Sequence, residues 1–289
     1  WDIHYLSMFR AIHRARKIGM PLILWGHGYS KRLSHRRFDA LRNWVGRRAT
    51  GVLLYTKTVA NRLIKQHQFD PAKVFTATNA LDQTPIQAAR QYWLDHPAEL
   101  AQFQKQHDVG PDRTIIFVSR LERENRIDLL LRAVAYLRQH KRDINAVLIG
   151  KGAEEPHLRS LAEQLKITDA IRFTGAIYDE HALAPWMLSA GVFCYPEEIG
   201  LSILHAFGYG LPVVTSDNID GQNPEIEAFI DGQTGFFYHH GDLEDMARHC
   251  GNILADPQLR QRLSAQAHSQ VLEHYTISNM VQGFLDATI

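Results

Sequence analysis

The 289-residue sequence predicts an α/β protein of two parallel-sheet bodies, the first of them incomplete. Short apolar runs rich in β-branched and aromatic residues alternate with amphipathic stretches, the pattern of strands buried on both faces and joined by helices. The alternation breaks over residues 83–110, where Gln-rich and charged sequence of helical character contains no strand. Charge is divided as well. Residues 1–82 hold 15 Lys and Arg against 4 Asp and Glu, and residues 83–289 hold 17 against 27, a split that marks two bodies with different partners.

The first body, residues 1–82, offers strands at Leu22–Trp25, Gly51–Tyr55 and Val74–Thr76. An open α/β sheet usually has about five or six strands, so residues preceding Trp1 are expected to complete it. Residues 83–110 are read as a linker. The second body, residues 111–274, offers strands at Thr114–Val118, Ala146–Ile149, Ile171–Phe173, Val192–Tyr195 and Pro212–Thr215. Leu129, Leu130, Ala133, Val134 and Leu137 form an i, i+3, i+4 stripe, hence a helix between the first two. Residues 242–289 read as helical, with Asp242 as an N-cap and Asp256-Pro257 as a second helix start.

No apolar run reaches the roughly 18 residues of a membrane span. Cys194 and Cys250 form no Cys-x-x-Cys pair and read as buried thiols of a reducing compartment. Arg36, Arg37, Arg42, Arg47 and Arg48 flank Phe38, Leu41, Trp44 and Val45, which predicts a basic amphipathic helix suited to an anionic membrane surface. A core-facing helix with a solvated basic face is the alternative. Nucleic acid is not an expected partner, because no recognition motif accompanies the charge.

Ligands of open parallel sheets bind beyond the carboxyl ends of strands, and four loops there carry suitable groups. Arg120 follows the Thr114 strand and offers a fork of donors to a diphosphate. Glu197-Glu198-Ile199-Gly200-Leu201-Ser202 leads from strand to helix, with a carboxylate for sugar hydroxyls and helix amides for an anion. His205 lies eight positions after Glu197 and is expected to face the same pocket. His27, flanked by Gly26 and Gly28, closes the first strand. Each also has a plainer reading as a salt bridge, a solvated turn or a structural histidine. His239-His240 reads as a solvated loop. There is no P-loop, dinucleotide fingerprint, His-Glu-x-x-His, Asp-x-Asp or nucleophile elbow.

These elements, taken in order, resemble glycosyltransferase family 4, whose members are retaining enzymes of the two-domain GT-B fold. Residues 197–214, EEIGLSILHAFGYGLPVV, are similar to the family's Glu-x7-Glu block. Ser119-Arg120-Leu121 resembles its Gly-Arg-Leu element, Leu148–Gly152 and Phe173-Thr174-Gly175 its intervening strands, and Pro224–Phe236 the segment that follows. Asn79–Asp82 resembles the close of the first domain, and Trp25–Gly28 stands where the family has Val-His-Gly. The sequence departs from the pattern in three ways. His205 replaces the second Glu, which in the family typically holds the ribose; Asn125 replaces a Lys; and the N-terminal glycine-rich loop is absent.

The resemblance implies two Rossmann-like domains and a final helix, 275–289, that returns to the first. It implies metal-independent hexosyl transfer with retention, from a nucleotide-diphosphate sugar to a glycan or lipid-linked acceptor, with no cofactor. His27, Arg120 and Glu197 would be the catalytic residues. Arg120, Asn125, Gly175, Glu197, Gly200, Leu201, Ser202 and His205 would bind the donor. The expected location is cytoplasmic, peripheral at the inner membrane face. A non-catalytic sugar-nucleotide-binding module and a nucleotide-sugar epimerase of the same fold are the competing readings.

Overall fold

A computed structural model describes residues 6–29, 39–140 and 142–288. The chain divides into two compact units, residues 1–80 with 275–289, and residues 81–274.

In the first unit, α1 (Leu6–Lys17) precedes β1 (Ile23–Gly26), α2 (Asp39–Gly46), β2 (Gly51–Leu54), α3 (Lys57–His67) and β3 (Val74–Thr76). The strands form a parallel sheet in the order β1-β2-β3. Its core gathers Ile12, Leu24, Val52, Leu54, Val59, Leu63 and Phe69. Thr56 caps α3 by accepting from the Val59 amide, and Gln68 closes it in the left-handed region.

The basic face expected around α2 is reduced. Arg42 is buried in an ion pair with Asp39, and Arg47 donates to the carbonyl of His67. Trp44, Leu41 and Arg48 stay at the surface. Arg36, Arg37 and Phe38 lie outside the described residues.

The second unit opens with α4 (Gln83–Asp95) and α5 (Pro97–His107). The segment expected as a linker is therefore folded into this unit. The helical character expected there is present, and α4 docks partly through polar contacts: Gln83 and Gln87 donate to the carbonyls of Leu204 and Gly208, and Trp93 donates to that of His181.

The chain continues through β4 (Thr114–Val118), α6 (Ile127–Gln139), β5 (Asn145–Ile149), α7 (Glu155–Gln164), β6 (Ile171–Gly175), α8 (Glu180–Leu188) and β7 (Val192–Cys194). Next come α9 (Ser202–Gly208), β8 (Val213–Ser216), β9 (Gly235–Tyr238), α10 (Leu243–Ala255) and α11 (Pro257–His274). β9 is an edge strand that the apolar-run pattern did not single out. The Asp242 cap on α10 and the Asp256 cap on α11 both form. Cys194 and Cys250 are free and buried beside each other.

All six strands are parallel, in the order β6-β5-β4-β7-β8-β9. This is the doubly wound order, in which the winding reverses between β4 and β7. Right-handed crossovers then send the helices of the two halves to opposite faces. Accordingly α6 packs with α7 and α10, whereas α8 and α9 share α4 as a neighbour.

The final helix, α12 (Ile277–Thr288), packs on β2 and β3 of the first unit. Gly283 makes the contact: a Cβ there would sit 2.2 Å from the Thr76 carbonyl oxygen and 2.8 Å from Ala77 Cα. Glycine in a helix interior costs about 1 kcal/mol relative to alanine, and here it permits the close approach. Gly283→Val is expected to lift α12 from the sheet and destabilise the first unit by about 2–3 kcal/mol. Hydrogen exchange of α12 and β3 checks this, and unchanged protection would refute it.

Candidate functional site

The crevice at a winding reversal is where open α/β sheets take ligands. Here it is lined by the loops after β4 and β7. Backbone hydrogen bonds shape the first. Ser119 N donates to Ile149 O and Leu121 N to Lys151 O, at 3.1 Å each, and Glu154 N donates to Leu121 O at 3.0 Å. The Gly150-Lys151-Gly152 turn thus lies directly on Ser119-Arg120-Leu121. A Cβ at Gly150 would be 1.8 Å from Ser119 O, at a φ of +150°, and one at Gly152 would be 2.1 Å from Leu121 O. The two glycines are required by this contact and not by a phosphate-binding loop. Gly150 N also donates to Gly175 O at 2.9 Å, which joins the end of β6 to the same lattice. Arg120 is exposed, and Lys151, also exposed, reaches within 3.5 Å of the space a Gly175 side chain would fill.

Asn125 ties the first loop to the second. Its Nδ2 donates to Arg120 O at 2.7 Å, and its carbonyl accepts from Glu197 N at 3.4 Å. It is buried, so it positions Arg120 and Glu197 rather than standing in for a lysine's charge. Arg126, next in sequence, is in electrostatic range of Glu197 but is clamped by Asp128 at 2.9 and 3.1 Å.

Glu197 is buried, and its Oε1 lies 2.7 Å from His240 Nδ1 and accepts from the Tyr238 hydroxyl at 3.4 Å. Burial, followed by the charge of Glu197, pushes the Tyr238 hydroxyl well up and keeps it a donor. His240 stands in an exposed turn, as expected, and from there it reaches Glu197, which makes it part of the site as well. His239 does face solvent, paired with Asp245. The sequence signal for His240 was its place just beyond β9, at the carboxyl edge shared by the other loops.

Glu198 holds the turn in the left-handed region at φ +58°, with Asn223 Nδ2 donating to its carbonyl at 2.7 Å. Gly200 leaves room beside Asn223, whose Nδ2 would lie 3.4 Å from a Cβ there. α9 starts at Ser202, after Leu201, without a side-chain cap among the described residues. The amides of Ile203 and Leu204 donate to the carbonyls of Gly200 and Leu201, and that of Ser202 is left to water or a ligand.

His205 was expected to meet the ligand from α9. Instead its Nε2 lies 3.0 and 3.1 Å from the two carboxylate oxygens of Glu180, at the start of α8, and the Tyr209 hydroxyl donates to the same carboxylate at 2.7 Å. Sequence reasoning missed Glu180 because no spacing links it to the 197–205 block. Burial opposes ionisation of Glu180. The hydrogen bond and charge of His205 and the Tyr209 hydroxyl outweigh it, and the carboxyl group titrates below its ordinary 4.5. His27 belongs to the first unit, just past β1, with its ring 4.8 Å from that of Tyr55. No cluster of His, Cys, Asp and Glu able to hold a metal ion occurs among the described residues.

The family model described as glycosyl transferases group 1 matches residues 99–270. The alpha-D-kanosaminyltransferase of Streptomyces kanamyceticus is 26% identical over 279 residues, 91% of this chain and 69% of that protein. The GDP-mannose-dependent alpha-(1-6)-phosphatidylinositol monomannoside mannosyltransferase of Mycolicibacterium smegmatis is 25% identical over 214 residues, 71% of this chain and 55% of that protein. The chain thus spans 55–69% of the length of these two relatives. Anabaena HepE in complex with UDP aligns with a TM-score of 0.74 at 18% identity, over 98% of this chain and 76% of that one. Sucrose-phosphate synthase of Thermosynechococcus elongatus aligns at 0.68 and 18% identity, over 97% and 70%. The fold is GT-B, with two Rossmann-like domains.

A carboxyl group with a depressed folded pKa stabilises the fold above its unfolded pKa and loses that contribution as pH falls through the folded value. Glu180→Gln is therefore expected to be about 1 kcal/mol less stable than the parent protein at neutral pH, a modest figure because a partly exposed group is screened. The gap should close as pH drops below 4.5. Urea denaturation at neutral and acid pH checks this, and a gap that widens in acid would contradict the assignment.

Proposed function

The chain belongs to the group 1 glycosyl transferases, and from that premise we propose that it moves a hexose from a nucleoside diphosphate donor to a glycan or lipid-linked acceptor, with retention at the anomeric carbon. One observation carries the reading: the loops bearing Arg120 and Glu197 leave adjacent strands at the winding reversal, and Asn125 bonds both. Arg120 takes the diphosphate, whose negative charge grows as the glycosidic bond breaks, and this stabilisation lowers the barrier. The amides of Gly200, Leu201 and Ser202 add donors at the same place. Lys151, beside Gly175, supplies the second cation that position 125 lacks, so a divalent ion is not needed. Glu197, held by His240 and Tyr238, accepts hydroxyls of the donor sugar and fixes its orientation. His27, in the first unit, is assigned to the acceptor.

Arg120→Ala is expected to weaken binding of a nucleoside diphosphate sugar about 10–100-fold, the worth of a charge-assisted pair. Glu197→Gln should bind the bare nucleoside diphosphate like the parent protein while transfer falls about a hundredfold. Thermal shifts with a panel of donors, followed by transfer assays with and without EDTA, measure both. An Arg120→Ala protein with an undiminished shift would remove the site. Product formed from donor alone would favour the epimerase.

The acceptor reading extends to location. Phe9, Ile12, Trp44 and Val45 line a groove of about 570 Å³ between α1 and α2, with His13, Arg16, Lys17 and Arg48 on its walls. An apolar floor with basic walls suits an anionic leaflet, and no helix among the described residues is long and apolar enough to cross a membrane. Flotation with vesicles containing phosphatidylserine should carry the protein, and Trp44→Ala with Arg48→Ala should reduce the bound fraction severalfold. Equal flotation with neutral vesicles would argue against this location.

A further inference from the structure

Glu180 is an acidic group at the carboxyl edge of the second sheet that the scheme above leaves unused. It is the first residue of α8, which follows β6, and the β6 end is bonded through Gly175 and Gly150 to the loop of Arg120. Its hydrogen-bond partners come from α9 and the residue that closes it: His205 Nε2 at 3.0–3.1 Å and the Tyr209 hydroxyl at 2.7 Å. His205 is three residues, about 4.5 Å of helix rise, beyond Ser202.

A carboxylate has about four acceptor positions. His205 bridges both oxygens and Tyr209 takes Oε2, so Oε1 keeps acceptor capacity, and the side chain remains 26% exposed. The group is thus held by two donors, ionised and still accessible, about a helical turn from the proposed diphosphate region. Such a group repels phosphate and attracts neutral donors. In a nucleoside diphosphate the donors nearest the phosphates are the ribose hydroxyls, and carboxylates are what α/β nucleotide sites place against them.

We infer that Glu180 is the residue that accepts the ribose hydroxyls of the donor nucleotide, with His205 and Tyr209 as its positioning residues. The inference rests on the reading of this site as one for a nucleotide sugar. It moves the ribose contact from α9, where the family resemblance would put it at His205, to α8. The imidazole then acts through the carboxylate. A sugar hydroxyl that reaches Oε1 needs no displacement of either donor.

The test measures binding of UDP and GDP, their 2′-deoxy forms and inorganic pyrophosphate, by calorimetry on the intact protein and on Glu180→Gln and Tyr209→Phe. The parent protein should bind the preferred ribonucleotide about tenfold more tightly than its deoxy form, the worth of one charge-assisted hydrogen bond. Glu180→Gln should bind both forms alike, at the affinity of the deoxy form, with pyrophosphate binding unchanged. Tyr209→Phe, which keeps the ring and removes one donor, should lower the discrimination about threefold.

Discrimination that survives Glu180→Gln overturns the assignment. So does a parent protein that binds nucleotides without regard to the 2′-hydroxyl, which leaves the nucleotide-sugar reading standing. Loss of a GDP-over-UDP preference in Glu180→Gln, with ribose discrimination intact, would reassign the carboxylate to the base and overturn the inference. A parent protein that binds neither nucleotide nor pyrophosphate refutes the nucleotide-sugar reading itself, and the ribose assignment with it.

Discussion

The reversal of winding between β4 and β7 is the constraint on which the rest of the second domain depends. Helices bound to the two halves of the sheet go to opposite faces, so the loops leaving these neighbouring strands part at their tips and open a crevice without any cavity in the core. A crevice made this way has polar backbone on both sides that must be held in place. Asn125 does much of that, with its side chain on Arg120 O and its carbonyl on Glu197 N. On the far side of β4, Gly150 and Gly152 let a second loop rest on the first with no side chain between them. The Arg120 loop is therefore braced from both flanks while its guanidinium stays at the surface.

The charges of the site are sorted by the same geometry. Two carboxylates, Glu197 and Glu180, lie along the carboxyl edge, and each is held by one imidazole and one tyrosine hydroxyl: His240 and Tyr238 for the first, His205 and Tyr209 for the second. Carboxylate oxygens withdrawn from water need such donors. In the proposed reading these fixed carboxylates accept neutral hydroxyls at set positions, whereas Arg120 and Lys151, both exposed, take the phosphates. A nucleotide sugar has hydroxyls at both ends and phosphates between, and the edge offers acceptors and cations in matching proportion.

The alternation of strand and helix was legible because strands buried on both faces must be apolar throughout, as β4 and β5 are. The loops that matter were legible because they follow those strands. What escaped was whatever depends on pairing across the fold. His240 and Glu197 are 43 positions apart and Glu180 and His205 are 25 apart, separations that no local pattern connects. β9 escaped as an edge strand whose burial is interrupted at Phe236 and Phe237. α2 was read as a basic face because charge on a helix usually means solvent. Arg42 is instead neutralised one turn away by Asp39, a pairing that spacing permits but does not require.

α4 shows why the segment before β4 matters to a site it does not line. α9 has seven residues, too few to be stable alone, and its last carbonyls have no helical partner. Gln83, Gln87 and Arg90 recur at i, i+4 and i+7 on one face of α4, and they donate to the carbonyls of Leu204, Gly208 and Tyr209. Gly208 admits this face, since a Cβ there would lie 2.3 Å from Gln83 Oε1. His268 of α11 steadies Gln87 from behind, with Nε2 2.8 Å from its Oε1. The polar stripe of α4, in the segment read as a linker, thus helps to cap the C-terminal end of α9. Through α9 it sets where His205 and Tyr209 stand, and so where Glu180 is held.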